Sequence, residues 1–423
     1  MSLFGTDGIR GRWGQPPLTP EIAHALGSAV RKRFGSGPVL LARDTRASGL
    51  EIRDELAGGL GGDVIDLGVL PTPGLSALLN GRRGAAGIVI TASHNPWQDN
   101  GLKVLGKDGF KLDLQVEREL EQEVLKGTYS FNSTLELQEK PGADLYVELV
   151  LKSLPDRLDL EGVDIGLDAA NGAAFETAPR ILQQLGARVH AIGVAPNGRN
   201  INDGVGAVHP GVLSKHCLRV GASVGICLDG DADRCILIGP GGRIVDGDAL
   251  LLLLAREPGV VGTVMSNAAL ERQLRGRGLG FVRTPVGDRN ISAVMQRNRW
   301  PVGGEPSGHV LLRDGFPTGD GLLTALRVLA DGLDLRKRLR NWQPDPSVLV
   351  NVAVAAKPDL DTLEGLDAAR KGVLAGGASR VLLRYSGTEA KLRVLVEART
   401  LPEARGFADT LAAVAVEQIE AHA

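Results

Sequence analysis

The chain is short of the features that mark several large protein classes. Its three cysteines, Cys217, Cys227 and Cys235, lack CxxC spacing, and two of them lie in apolar stretches where they read as inert core residues. That usage fits a reducing, cytoplasmic setting. The start, "MSLFGTDGIRGRWG", has no apolar core of the kind a signal peptide needs. The longest leucine run covers only residues 250–254, far too short for a bilayer, so no membrane association is expected. Formal net charge is only −2, with acids and bases spread along the 423 residues, and no basic face offers itself to nucleic acid. Neither GxxxxGK(S/T) nor a GxGxxG after a strand is found, which disfavours an ATP-dependent kinase and a dinucleotide enzyme. The GxSxG elbow of an ordinary α/β-hydrolase is missing as well.

Aromatic residues make up only 4%, whereas glycine numbers 57, a balance that favours short loops bringing backbone close to ligands. The length exceeds one ordinary core and predicts three or four domains. Strand-like runs alternate with helix-like runs. "PVLLARDTRASG", "VDIGLDAANGAA", "VGICLDGDADR" and "GTVMSNAAL" each read as a buried strand running into a polar loop and then a helical segment, which predicts α/β units on largely parallel sheets. The first helix is well marked. Thr19 suits its cap and Pro20 its first turn, Ile22, Leu26, Val30 and Phe34 share a face, and Gly35 suits the stop. Polar, poorly periodic sequence near 140, the end of the "DGDADRCILIGPGG" region near 240 and the proline-bearing "NWQPDPS" at 341–347 predict boundaries. The expected segments are 1–140, 141–239, 240–342 and a smaller α+β segment, 343–423.

"GIVITASHNPWQDNGLKV" (87–104) ends an apolar run in a loop of small polar groups. Taken alone, Ser-His-Asn-Pro is a good turn or cap. A serine at a strand end is also where an α/β enzyme keeps a nucleophile, and Ser93 would need Lys103 or His94 as a base, or a cation-held acceptor, to become reactive. Asp229, Asp231 and Asp233 alternate just after "VGICL". On extended backbone they would share one face, and three carboxylates together call for a cation; oxygen-only ligands favour Mg²⁺, one per chain. An EF-hand is excluded, because its sixth and twelfth loop positions would hold Arg234 and Pro240. In "GGEPSGH" (303–309), Glu305, Ser307 and His309 suit sugar hydroxyls, with a plain turn as an equal alternative. "LLRYSGTEAKLRV" (382–394) gathers Arg384, Ser386, Gly387, Thr388 and Arg393 into a candidate anion cradle. Arg10 and Arg12 sit in a glycine-bracketed turn.

These segments, in this order, resemble the α-D-phosphohexomutase family from Phe4 to Arg393. "FGTDGIRG" and "NGRNINDGVGAVHP" (197–210) are similar to its bacterial amino-sugar branch. The resemblance implies four domains around a central cleft, three of them similar mixed α/β domains and the fourth smaller. It implies that Ser93 carries a phosphoryl group, and that Asp229, Asp231 and Asp233 bind Mg²⁺ with an oxygen on Ser93. Arg10 and Lys103 would assist proton transfer beside the serine, with His94 adjacent. Glu305, Ser307 and His309 would hold sugar hydroxyls, the 384–393 residues the non-reacting phosphate, and Arg234 and Arg289 would line the cleft. The implied reaction interconverts glucosamine 6-phosphate and glucosamine 1-phosphate through a sugar 1,6-bisphosphate, feeding amino-sugar nucleotide synthesis. Glucose or mannose phosphates are the alternative substrates, and a homodimer is left open. Thr91, Ala232, Pro306 and Tyr385 depart from the expected pattern without removing a catalytic group; Thr91 stands where the amino-sugar branch often has serine, and "TASHNP" also occurs in phosphoglucomutases. Thr91 and Pro306 make the resemblance less decisive about which sugar is preferred.

Overall fold

The computed structural model describes residues 3–5, 7–81, 83–127, 135–156, 158–386 and 390–422. The chain divides into two compact units, Met1–Thr263 with Thr284–Arg340, and Val264–Arg283 with Asn341–Ala423.

In the first unit, one sheet places Ala86–Ile90, Val39–Arg43, Gly62–Val69 and Leu135–Glu139 side by side in parallel. Antiparallel Asp99–Gly106 and then Ile9–Arg12 extend its other edge. A second sheet sets Val224–Leu228, Asp164–Asp168 and Arg188–Ile192 in parallel, and continues beyond Val224–Leu228 through antiparallel Cys235–Gly239 and Arg243–Val245. A third includes Gly259–Thr263 parallel to Val302–Gly304, with Val310–Leu312 antiparallel beside it. The helix Pro20–Phe34 follows its sequence signals: Thr19 accepts from the Ile22 N–H, and Gly35 ends it at a φ of 82°.

The expectation of a strand followed by a helix fails at "VGICLDGDADR", and the Ser93 segment shares the different arrangement found there. Ala86–Ile90 and Val224–Leu228 each run into an antiparallel partner. The loops 91–98 and 229–234 are too short for the dozen or more residues a parallel crossover needs, so the chain must turn back on itself. The Ser93 segment and the aspartate segment are therefore hairpin loops, each rooted in a fully buried strand.

The second unit packs an antiparallel sheet, ordered Ser347–Ala353, Lys391–Glu397, Arg380–Tyr385, against the helices Glu364–Ala375 and Leu401–Ala421. Leu411 and Ile419 of the last helix are buried in this core, with Phe407 and Val414 packed at its margin. Thr400 and Glu403 form a reciprocal capping box at its start. Residues 264–283 join this unit. The Ala268 N–H at the head of their helix donates to Glu397 Oε2 at 2.8 Å, and Arg380 bonds the other oxygen of the same carboxylate at 2.9 Å. No helix among the described residues is long and apolar enough to cross a membrane.

Candidate active site

Ser93 lies three residues beyond the end of a strand whose Ile88, Val89 and Ile90 are fully buried, and it is itself buried with a φ of 53°. A left-handed serine costs of the order of 1–3 kcal/mol and persists only where its surroundings over-determine it. Here they do. Its N–H donates to Thr91 Oγ1 at 2.9 Å, and its carbonyl accepts from Arg46 Nη2 at 3.0 Å and from Asn202 Nδ2 at 2.9 Å. Its hydroxyl donates to Asp229 Oδ2 at 2.8 Å and lies 3.3 Å from His94 Nδ1.

Asp229, Asp231 and Asp233 converge, with one oxygen from each within 4.8 Å of the others. The means differs from the expected one. The loop is not extended; it turns, with the Ala232 N–H bonded to the Asp229 carbonyl at 3.0 Å and Ala232 at a φ of 58°. That left-handed position explains why glycine would sit there comfortably and alanine less so. Gly230 lies so close to the serine loop that an added Cβ would stand 2.4 Å from the Ser93 carbonyl oxygen.

Burial, and then the charges of Asp233 and Asp231, push the Asp229 carboxyl well up. Asp231 Oδ1 and Asp233 Oδ1 are buried and have no hydrogen-bond partner among the described residues. Three crowded carboxylates with unused oxygens, and no nitrogen or sulfur donor among them, fit a hard divalent cation such as Mg²⁺.

Cations ring this cluster. Lys103 is buried and donates to Asp231 Oδ2 at 2.7 Å and Asp233 Oδ2 at 3.3 Å. Burial works against its charge, but Asp231, Asp233 and Asp7 outweigh it and hold the ammonium far above its ordinary range. The charges of Asp231, Asp233 and Asp7 thus favour the protonated form of Lys103. His94 is the opposite case: burial, reinforced by Arg234 and Arg10, lowers it to about 4, so it is neutral near pH 7. Arg234 lies 3.7 Å from Asp233 and its N–H bonds Asp229 Oδ1 at 3.2 Å. Arg10, on the strand paired with Asp99–Gly106, bonds Asp7 at 3.2 Å. The Nε donors of both arginines are buried and have no hydrogen-bond partner among the described residues. Unused guanidinium donors beside a serine and a carboxylate cluster are what an incoming phosphoryl group requires.

The 303–309 segment joins the same neighbourhood through backbone, since Cys235 N–H bonds the Gly308 carbonyl at 3.0 Å and Arg234 bridges to His309. Ser307 donates to Glu305 Oε2 at 3.2 Å, and Glu305 Oε1 accepts from the Gly287 N–H at 2.9 Å. His309 is buried and faces Asp233 at 3.6 Å and Asp288 at 3.7 Å, so it braces the aspartate loop. Arg289 is turned elsewhere, bonded to the Leu112 carbonyl at 2.9 Å and to Glu117 at 2.7 Å. In the second unit, Arg384 and Arg393 stand directly opposite each other on paired strands. Like charges so placed repel, which suits an anion between them. Ser386 follows, its N–H bonded to the Lys391 carbonyl at 2.8 Å and its carbonyl to Lys357 at 2.8 Å. Gly387 and Thr388 lie outside the described residues.

Sequence reasoning missed several participants. Thr72 donates to Asp231 Oδ2 at 2.6 Å and its N–H bonds the Asp231 carbonyl at 3.0 Å. Lys111 joins Asp7 at 2.7 Å and Asp288 at 2.8 Å. The Asp44–Arg46 pair lies beneath the serine loop, and Asn202 clamps it. Only the last two fell in segments whose sequence drew notice, "ARDTR" and "RNINDG". The three cysteines are all buried and unpaired in disulfides, and burial raises the Cys217 thiol to about 11 and Cys227 well up.

Comparison with known proteins gives this geometry a context. Four domains described as phosphoglucomutase/phosphomannomutase α/β/α domains I, II and III and the C-terminal domain match residues 1–130, 144–242, 246–342 and 349–414. The chain belongs to the phosphoglucomutase/phosphomannomutase family. It has the family's four-domain, mixed α/β architecture, and the family is one of phosphosugar-isomerising enzymes. A phosphoglucosamine mutase of Delftia acidovorans is 42% identical, over 98% of each chain. A family protein from Burkholderia thailandensis has the same fold at a TM-score of 0.78 and 28% identity, covering 98% of each chain. The N-acetylphosphoglucosamine mutase of Aspergillus fumigatus, solved with GlcNAc-6P and magnesium, shares the fold at a TM-score of 0.68 and 19% identity, covering 98% of this chain and 96% of that one.

Proposed function

We propose that this chain catalyses the phosphoglucosamine mutase reaction, interconverting glucosamine 6-phosphate and glucosamine 1-phosphate, as a cytoplasmic enzyme supplying amino-sugar nucleotide synthesis. The observation that carries the reaction type is the Ser93 hydroxyl, 2.8 Å from Asp229 at the edge of a buried carboxylate trio. The choice of sugar rests on the 42% identity along the whole chain to a phosphoglucosamine mutase. Segments 1–140, 141–239, 240–342 and 343–423 are the four domains of this reading.

Phosphorylated Ser93 transfers its phosphoryl group to the free hydroxyl of the sugar phosphate. The bond from phosphorus to Ser93 Oγ breaks, a bond to the sugar oxygen forms, and a 1,6-bisphosphate results. The sugar hydroxyl gives up its proton and Ser93 Oγ takes one as it departs; Arg10, Lys103 and His94, whose Nδ1 lies 3.3 Å from Ser93 Oγ, assist that exchange. After the bisphosphate reverses its direction in the site, its other phosphate returns to Ser93. Lys103, Arg10 and Arg234 hold positive charge against the transferring oxygens, the main service an enzyme can render to a phosphoryl transition state. Asp229, Asp231 and Asp233, with an oxygen on Ser93, would hold Mg²⁺, which when bound neutralises phosphoryl charge and orients in-line transfer. Arg384, Ser386 and Arg393, with Gly387 and Thr388, take the phosphate that is not reacting, and Glu305 and Ser307 take sugar hydroxyls. Arg289 contributes only if it leaves Glu117.

The test is a turnover panel of glucosamine 6-phosphate, glucose 1-phosphate and mannose 1-phosphate, run for the parent chain and Ser93→Ala. The reading requires a strong preference for the amino sugar and an inactive Ser93→Ala. A large preference for glucose 1-phosphate transfers the reading to a phosphoglucomutase. Full activity in Ser93→Ala abolishes the phosphoserine route.

A further inference from the structure

Beneath the serine loop lies a buried polar assembly that touches neither a candidate metal ligand's side chain nor any sugar-binding group. Arg46 is the hub. Its side chain is fully buried, and its donors are spent on main-chain carbonyls of one loop: Ser93 at 3.0 Å, Asn95 at 2.9 Å, Asp99 at 2.8 Å, and Pro96. Its Nε bonds Asp44 Oδ2 at 2.8 Å, and Asp44 Oδ1 accepts the Arg46 N–H at 3.0 Å. The same Asp44 Oδ2 accepts the Thr91 hydroxyl at 2.6 Å, and that hydroxyl accepts the Ser93 N–H at 2.9 Å. A chain of oriented bonds thus runs from Arg46 through Asp44 and Thr91 to the amide of the serine.

We propose that Thr91, oriented by Asp44 and Arg46, is a positioning residue for phosphoryl transfer: its hydroxyl fixes the Ser93 amide and so aims the Ser93 oxygen. The inference rests on Ser93 being the phosphoryl carrier. The reasoning is geometric. Ser93 occupies a left-handed conformation that a serine leaves readily when its amide is free, and leaving it swings the Cα–Cβ bond away from Asp229. The carbonyl side is anchored twice, by Arg46 and Asn202, whereas the amide side has, among the described residues, Thr91 alone. Thr91 is completely buried and both hydroxyl bonds point into the scaffold, so it does not read the sugar. The threonine at this position therefore acts on the loop and not on substrate choice. Either threonine or serine can make the same two bonds, whereas valine, of nearly the same shape as threonine, can make neither.

Thr91→Val, Thr91→Ala and Thr91→Ser test this directly, with Ser93→Ala alongside. Turnover gives kcat and KM, and intact mass follows single-turnover transfer from glucose 1,6-bisphosphate to dephosphorylated Ser93. Thr91→Val and Thr91→Ala should both lower kcat and the single-turnover rate by about 100-fold, the scale of a small misplacement of a reacting atom. KM should stay within about threefold, because binding groups are untouched. Thr91→Ser should recover the parent rates to within about threefold. Thr91→Ala leaves room for repacking or a water, and keeps the question answerable if Thr91→Val folds poorly. Parent-like transfer in either hydroxyl-free variant overturns the inference, and so does a Thr91→Ser as slow as Thr91→Val, which would assign the effect to the methyl group. An inactive Ser93→Ala beside an unimpaired Thr91→Val rejects the positioning role alone. An active Ser93→Ala rejects the carrier reading and this inference with it.

Discussion

Lys103→Met removes one charge from the centre of the site while keeping most of the side-chain volume. The lost ammonium lies 2.7 Å from Asp231 and 3.3 Å from Asp233, and all three residues are buried, so water cannot replace it. Deleting one partner of a buried ion pair costs about 3–5 kcal/mol. The lower end applies here, because Thr72 still donates to Asp231, while Arg234 and His309 remain 3.7 and 3.6 Å from Asp233. At about 2 °C per kcal/mol for a large domain, the metal-free melting temperature should fall by about 6 °C. A divalent cation should reverse part of the loss. Lys103 repels any cation that the three carboxylates bind, so the variant should bind Mg²⁺ at least tenfold more tightly, worth about 1.4 kcal/mol. Ligand stabilisation follows the ratio of free ligand to Kd, so at one Mg²⁺ concentration the gap to the parent should close by about 3 °C. Thermal melts in EDTA and in Mg²⁺, with calorimetric titration of Mg²⁺ into both proteins, measure each quantity. A gap that Mg²⁺ leaves unchanged or widens, or a metal-free loss under about 1 °C, would refute the assignment of Lys103 as the counter-charge of the trio.

Four further outcomes are expected. EDTA should abolish turnover and Mg²⁺ restore it; activity that survives thorough chelation would remove the cation from the reading. Gly230→Ala would bring a Cβ to 2.4 Å from the Ser93 carbonyl oxygen, so it should weaken Mg²⁺ binding and turnover together by forcing the two hairpins apart, and an unchanged Kd for Mg²⁺ would count against their contact. Burial raises the Asp320 carboxyl, which accepts from Tyr146 at 2.8 Å, to about 6. The folded state therefore holds that proton more tightly than the unfolded chain, and the stabilisation is complete below about pH 4 and lost as pH rises through 6, about 3 kcal/mol in all. Urea unfolding from pH 4 to 7 should show the parent losing that much relative to Asp320→Asn, and a pH-independent difference would disprove the shift. Arg384→Gln should leave stability equal or up to about 1 kcal/mol higher without ligand, since it ends the repulsion from Arg393. It should also raise KM for the sugar phosphate at least tenfold, and an unchanged KM would remove Arg384 from the phosphate cradle.

What could be read from the sequence was local, and what could not was the set of partners that gives each local motif its meaning. The three aspartates were visible because carboxylates of that density have few uses. Yet the argument that gathered them, alternation along an extended strand, reached the right cluster by the wrong geometry, since a tight turn with Ala232 in the left-handed region brings them together. Ser93 and Lys103 could be suspected of acting together, but not the sense in which they do. Only the fold brings Asp231 and Asp233, more than a hundred residues away, against Lys103, and their charges favour its protonated form. His94, beside the same serine, is shifted the other way, by burial first and by Arg234 and Arg10 after it. His94 in the loop and Lys103 on the strand that follows it are thus shifted in opposite directions by burial and by charges distant in sequence, which no window of sequence contains. The same reasoning accounts for Arg46. In "ARDTR" it is an ordinary loop arginine, exposed by every compositional expectation, and it becomes the hub of the serine loop only because the antiparallel return of Asp99–Gly106 folds four carbonyls around it. A site of this kind is specified less by its reactive groups than by the backbone that surrounds them. Substitutions one bond removed from Ser93 should therefore be felt in the rate of transfer before they are felt in binding.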